Sequence, residues 1–135
     1  MDGEDLGALF ARMTRRLIDA ERPLLARHDL SMWAYVALSH LADRPAATQL
    51  ALATAMNYDK TRLIALLDDL ERRRLVTRTP DPADRRARIV ELTARGRKRH
   101  AAARADIRSM EDELLGDLTA AQRTLLRQTL AELAV

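Results

Sequence analysis

The run of residues 59–93, DKTRLIALLDDLERRRLVTRTPDPADRRARIVELT, leaves the chain few folds to choose from. Its first part spaces Leu63, Leu66, Leu67 and Leu70 three and four apart, which at 3.6 residues per turn is one face of a helix. Asp59 precedes that face as an N-cap, because its carboxylate can accept a bond from an unpaired N–H of the first turn. Thr61, Ala65 and Asp68 fall opposite the apolar stripe, and Lys60 and Arg62 flank it. After Arg72, Arg73 and Arg74, residues 75–79 and 89–93 alternate and carry β-branched side chains, so each reads as a strand. Residues 80–88 hold two prolines, two aspartates and three arginines, the composition of a loop with a positive tip. A helix with a polar start and a basic ribbon suits a duplex. The helix fits a major groove about 12 Å wide, and the arginine tip reaches the narrower minor groove.

The charge distribution agrees with a polyanionic partner. Residues 72–108 hold thirteen Arg or Lys against four acids, a local charge of +9 that leaves −6 for the rest of a chain whose net charge is +3. Segregation of this kind provides a face for phosphates while the remaining surface stays acidic. At 135 residues the chain has the length of a single domain, and with 3% aromatic residues its core must be built from Leu, Ala, Val and Met. Four glycines and few β-branched runs favour a mainly α fold with a small β-ribbon. The absence of cysteine excludes disulfides, thiol catalysis and cysteine-ligated zinc. With an acidic start and no segment of signal or membrane-span character, the expected location is the cytoplasm, with no membrane partner.

Along the chain, residues 4–27 are helical in pattern, with Leu6, Phe10, Met13, Leu17 and Leu24 on one stripe that Leu9, Ile18 and Leu25 widen. A wide stripe implies more than one neighbour. Pro23 predicts a kink or break. A second helix follows the N-cap Ser31 and ends near Asp43, Arg44 and Pro45. Thr48 caps a third, short helix carrying Leu50, Leu52, Ala53 and Met56, and Asn57 suits a left-handed turn into the helix that follows Asp59. Two short helices joined by a tight turn form a helix-turn-helix. Beyond the ribbon a helix of about 20 residues carries a weak stripe of Ala101, Ala105, Ile107, Met110, Leu114 and Leu115. Gly116 and Asp117 break it, and Thr119 with Gln122 forms a capping box for a last helix bearing Leu125, Leu126, Leu130 and Leu133. The apolar faces of the terminal helices exceed what one small core absorbs, and a symmetric dimer would bury them. It would also repeat the recognition helix one DNA turn away, ~34 Å.

The run Leu70-Glu71, Leu75-Val76-Thr77-Arg78, Asp81-Pro82-Ala83-Asp84-Arg85-Arg86-Ala87 and Val90-Glu91-Leu92-Thr93-Ala94-Arg95-Gly96 resembles the MarR family of winged helix-turn-helix transcriptional regulators, and the likeness extends over nearly the whole chain. The resemblance implies a winged helix-turn-helix lobe at residues 28–93, with residues 1–27 and 94–135 forming a dimerisation lobe. It places Lys60, Thr61 and Arg62 at the start of the recognition helix, Arg86 in the minor groove, and Asp84 as a support for the wing. Three positions depart from it, each where family members often have glycine: Asp29, Asn57 and Arg74. It also implies a small phenolic or aromatic effector, for which Arg15, Arg16, Trp33 and His40 are the candidate pocket. A second reading makes Trp33 a core residue.

The expected DNA-binding set is therefore Lys60, Thr61, Arg62, Arg72, Arg73, Asp84, Arg85, Arg86 and Arg88, with further phosphate contacts from residues 95–99. His28, His40 and His100 lack partners at metal-ligand spacing, and no cofactor is expected. Neighbouring acids such as Asp68 and Asp69 point apart on a helix, and no Gly-rich phosphate loop or nucleophile elbow is present, so enzymatic work is not expected. The competing readings are a nucleoid-type architectural protein and a ligand- or protein-binding module that has lost DNA binding.

Overall fold

The computed structural model describes residues 3–44 and 47–135. Pro45, expected to help end the second helix, lies outside the described residues. Helix α1 (Leu6–Arg27) passes through Pro23 without a break. Pro23 and Asp19, whose carbonyl loses its N–H partner, are both exposed, so solvent can hydrate that carbonyl. Helix α2 (Met32–Asp43) starts where Ser31 Oγ accepts the Ala34 N–H at 3.1 Å. Strand β1 (Ala47–Thr48) leads into α3 (Gln49–Met56), capped by Thr48 on the Ala51 N–H. Helix α4 (Lys60–Arg72) is capped by Asp59, which accepts the Arg62 N–H at 2.9 Å.

Strands β2 (Val76–Asp81) and β3 (Asp84–Leu92) form an antiparallel sheet with β1 in the order β1-β3-β2. The sheet adds a third strand to the expected ribbon and lengthens the other two. The two-residue β1 has no sequence signature of its own and exists by pairing Ala47 with Val90 and Thr48 with Ile89. The nine-residue loop expected at 80–88 is mostly strand, with only Pro82 and Ala83 between β2 and β3. Ladder pairing outweighs the loop-like composition because Pro80 sits on the edge strand, where a missing N–H is tolerated, and a register shift falls between Pro80 and Asp81. Asp81 Oδ1 accepts the Ala83 N–H and Asp84 Oδ1 the Arg86 N–H, which shapes the tip.

Helix α5 (Ala94–Leu114) begins one residue after the sheet, with Thr93 as its N-cap and not a strand residue, its Oγ1 accepting the Gly96 N–H at 2.9 Å. Its buried face is Gly96, His100, Ala103 and Ile107; Ala101 and Ala105 of the expected stripe are exposed. Glycine and histidine at helical spacing had hidden the true face. A Cβ on Gly96 would lie 2.0 Å from the Leu75 carbonyl oxygen, so only glycine lets α5 approach the α4–β2 joint this closely. Helix α6 (Ala120–Leu133) opens with the expected Thr119–Gln122 capping box.

One core serves the molecule. Leu38, Leu52, Leu63, Leu67, Leu70, Leu75, Val76 and Val90 are fully buried, and Leu25 of α1 with Ala103 and Ile107 of α5 belong to the same cluster. The boundaries at 27/28 and 93/94 are thus not boundaries of packing. Helix α6 contributes no buried residue.

Three helices end in the same way. After α1 the Asp29 N–H bonds to the Ala26 carbonyl and the Leu30 N–H to the Leu25 carbonyl; after α3 the pairs are Asn57 to Thr54 and Tyr58 to Ala53; after α4 they are Arg74 to Glu71 and Leu75 to Leu70. These are Schellman motifs, which require a left-handed residue. Asp29, Asn57 and Arg74 supply it at φ of 54°, 49° and 62°, the three positions at which the sequence departs from glycine. Arg74 is the most strained in principle, and its carbonyl accepts the Thr93 hydroxyl at 2.6 Å.

Candidate nucleic-acid interface

Lys60, Thr61 and Arg62 are all exposed on the first turn of α4, whose opposite face is anchored by the buried Leu63, Leu67 and Leu70. Arg85, Arg86 and Arg88 are exposed on β3, and Asp84 beside them is held in the turn by the Arg86 N–H. Arg72 is exposed, with Asp69 3.9 Å away.

Arg73 is bonded within the chain. Its guanidinium is turned inward, donating to the Asp29 carbonyl at 2.5 Å and to Asp69 at 3.4 Å. Within the 95–99 cluster Arg99 does likewise, donating to the His28 carbonyl at 3.0 Å. Both arginines therefore brace the corner between α1 and α2.

The sequence reading missed Arg78. Its side chain, 11% exposed, reaches from β2 to Glu71 at 2.9 Å and Asp68 at 2.6 Å on α4 and to Gln49 at 3.2 Å on α3. Glu71 also accepts the Arg78 backbone N–H at 3.0 Å, and these bonds hold its carboxyl below the ordinary carboxylate range. The ribbon is thereby tied to both helices of the helix-turn-helix. Asp68 and Glu71, three apart on one helix face, were the available signal. Asp68 and Asp69 are paired with Arg78 and Arg73.

The four candidate effector residues are not gathered within one chain. Trp33 stacks on Tyr58 with ring centroids 4.4 Å apart. His40 lies two turns further along α2, while Arg15 and Arg16 are exposed on α1, where the shallow cavities they line include neither Trp33 nor His40. His100 is buried, stacked on Tyr35 and 2.9 Å from Ser39 Oγ, and beside it Arg104 grips Asp43 through two bonds. His28 Nε2 lies 2.6 Å from Asp106.

A helix-turn-helix whose second helix has a polar, exposed start, locked to an antiparallel arginine ribbon, defines a winged helix-turn-helix protein. Residues 28–87 match the model of the MarR family. The transcriptional regulator HosA of Escherichia coli O111:H- is 40% identical over 100 residues, 74% of each chain. Among solved structures, the transcriptional repressor CouR bound to a 23-mer DNA duplex superposes with a TM-score of 0.84 at 31% identity, covering 97% of this chain and 93% of that one. CouR of Rhodococcus jostii RHA1 bound to p-coumaroyl-CoA gives a TM-score of 0.82 at 24% identity over 97% of this chain and 92% of that one. The chain belongs to the MarR family and is a transcriptional regulator.

Proposed function

We propose that the protein is a homodimeric repressor that binds a pseudo-palindromic site in double-stranded DNA. The carrying observation is the pairing of an exposed Lys60-Thr61-Arg62 start on α4 with an exposed Arg85, Arg86 and Arg88 ribbon, the two elements being joined by Arg78. Lys60, Thr61 and Arg62 read the major groove, Arg86 enters the minor groove, Asp84 holds the wing turn, and Arg72, Arg85 and Arg88 contact phosphates. CouR, of the same fold, is a repressor seen on a duplex, which supports this assignment. The reading as a module that has lost DNA binding rested on Asp68 and Asp69, which are paired with Arg78 and Arg73.

Dimerisation is supported by a groove of about 390 Å³ between α1 and α6, lined by Leu6, Phe10, Met13, Leu126 and Leu130 among others, on a face where Leu6 is 71% and Phe10 49% exposed. A second copy would cover it.

Replacing Arg86 by Ala should weaken binding to DNA selected from a random pool and reduce the magnitude of the salt slope by about 1. A folded variant with unchanged affinity and slope would remove Arg86 from the interface. Equal affinity of the wild type for selected and random duplexes would favour the architectural role. For the effector we propose a small aromatic anion on the Trp33 and His40 side of α2. Trp33 is the only tryptophan in the chain, so its emission reports occupancy directly. Quenching by a phenolic acid together with release of DNA supports the proposal; DNA retention at saturating acid defeats it.

A further inference from the structure

The C-terminus of α1 is held by two arginines from different parts of the fold. In its Schellman turn the carbonyls of Leu25 and Ala26 accept backbone N–H groups. Two carbonyls further along, of His28 and Asp29, receive guanidinium groups: Arg99 of α5 donates to His28 at 3.0 Å and Arg73, the C-cap residue of α4, to Asp29 at 2.5 Å. Cationic donors suit the negative end of a helix. His28 is further fixed by Asp106 of α5 at 2.6 Å. On the far side of the same joint, α5 is seated against the end of α4 by the Thr93 bonds to Arg74 and Leu75 and by the close approach of Gly96. The end of α4, the end of α1 and the start of α5 thus meet at one corner.

We infer that Arg73 and Arg99 are positioning residues that fix the orientation of α4 against α1 and α5, and so set the half-site spacing the dimer accepts. The inference rests on the proposed dimeric DNA-binding function, in which α1 belongs to the dimer face and α4 to the groove. Arg73 acts at a distance from DNA: it carries no sequence contact, but it determines where the partner helices stand relative to one another. A rigid guanidinium fork suits this role, since Arg73 spans the Asp29 carbonyl and Asp69 at once.

The test begins by selecting bound duplexes from a random pool with the wild-type protein, then building versions of the selected site with half-sites one base pair closer or further apart. Arg73→Ala, Arg73→Ala/Arg99→Ala and Arg73→Lys are compared with Met110→Ala, which weakens packing on α5 away from the corner. The discrimination between the selected and altered spacings should fall roughly tenfold in the double variant, less in Arg73→Ala, and recover in part in Arg73→Lys. Met110→Ala should lose stability and keep its spacing preference. An unchanged preference in folded Arg73→Ala overturns the inference, as does an equal loss in Met110→Ala, which would make the effect one of stability alone. If the wild type selects no paired half-sites, the DNA-binding dimer itself is refuted and the inference with it, an outcome distinct from either of the others.

Discussion

The central lobe and the terminal helices solve the problem of burial in opposite ways. From α2 to β3 nearly every large apolar residue is covered within the chain, and four of the helices of the molecule begin on a side chain that accepts an N–H of the first turn in or beside this lobe. In α6 nothing is buried, and Leu125, Leu130 and Leu133 are 62%, 37% and 76% exposed. The difference teaches that the lobe covers its apolar residues within one chain, whereas α6 and one face of α1 leave theirs exposed, the face that the proposed dimer would cover.

Substitutions break this comparison on either side. The largest effect is expected inside the lobe: Leu67→Ala empties a fully buried position and should lower unfolding free energy by about 3 kcal/mol, by the same amount at every protein concentration. A concentration-dependent loss would show that the lobe, too, is completed by the dimer. On the other side, Leu130→Asp places a charge in the α1–α6 groove and should weaken dimerisation by roughly 30-fold, or about 2 kcal/mol, seen as a shift toward monomer mass in sedimentation equilibrium. If the mass distribution does not change, that groove is not the interface. Smaller still is Arg74→Gly. Relief of left-handed strain is offset in part by the greater freedom of glycine in the unfolded chain, so a net gain of about 0.5 kcal/mol, or about 2 °C in melting temperature, is expected. A loss of stability would mean that the Arg74 side chain makes a favourable contribution greater than its strain.

The smallest effect is one of pH. Burial, and then the neighbouring Arg104, hold His100 below its ordinary value of 6.5, so the folded protein keeps it neutral while the unfolded chain protonates it more readily. Its contribution to stability is present above about pH 6.5 and is lost as pH falls through the folded value. Between about pH 7.5 and 5.5, His100→Gln should flatten the dependence of denaturation midpoint on pH. An unaltered profile would assign the acid sensitivity to other groups.

Local chemistry was what the sequence displayed best. Ser31, Thr48, Asp59 and Thr119 cap helices as their positions suggested, because a cap depends on a few adjacent residues. The left-handed roles of Asp29 and Arg74 were visible only through the family resemblance, since neither residue type demands them. Which of three consecutive arginines turns inward was not legible at all. Successive helical side chains diverge by about 100°, and the choice of Arg73 follows from where α1 happens to end. Arg78 was lost for a related reason: a strand arginine becomes a tie only when a helix with acids at the right spacing lies across it. The extended wing was hidden because Pro80, Asp81, Pro82 and Asp84 have turn-like identities, whereas pairing with the opposite strand is a non-local property.

Because, among the described residues, β1 meets β3 only at Ile89 and Val90, the outer stretch of β3 from Asp84 to Arg88 has β2 alone beside it, paired at Asp84 and Arg88, with residues 85–87 bulging between them. Mechanically it is a cantilever clamped at the sheet. Two strands form its outer part and three its root, so under a load at the end the displacement is greatest at the tip. In the proposed complex the arginines at its free end would follow a groove whose width varies with base sequence, with the ribbon and not the core taking up the deformation.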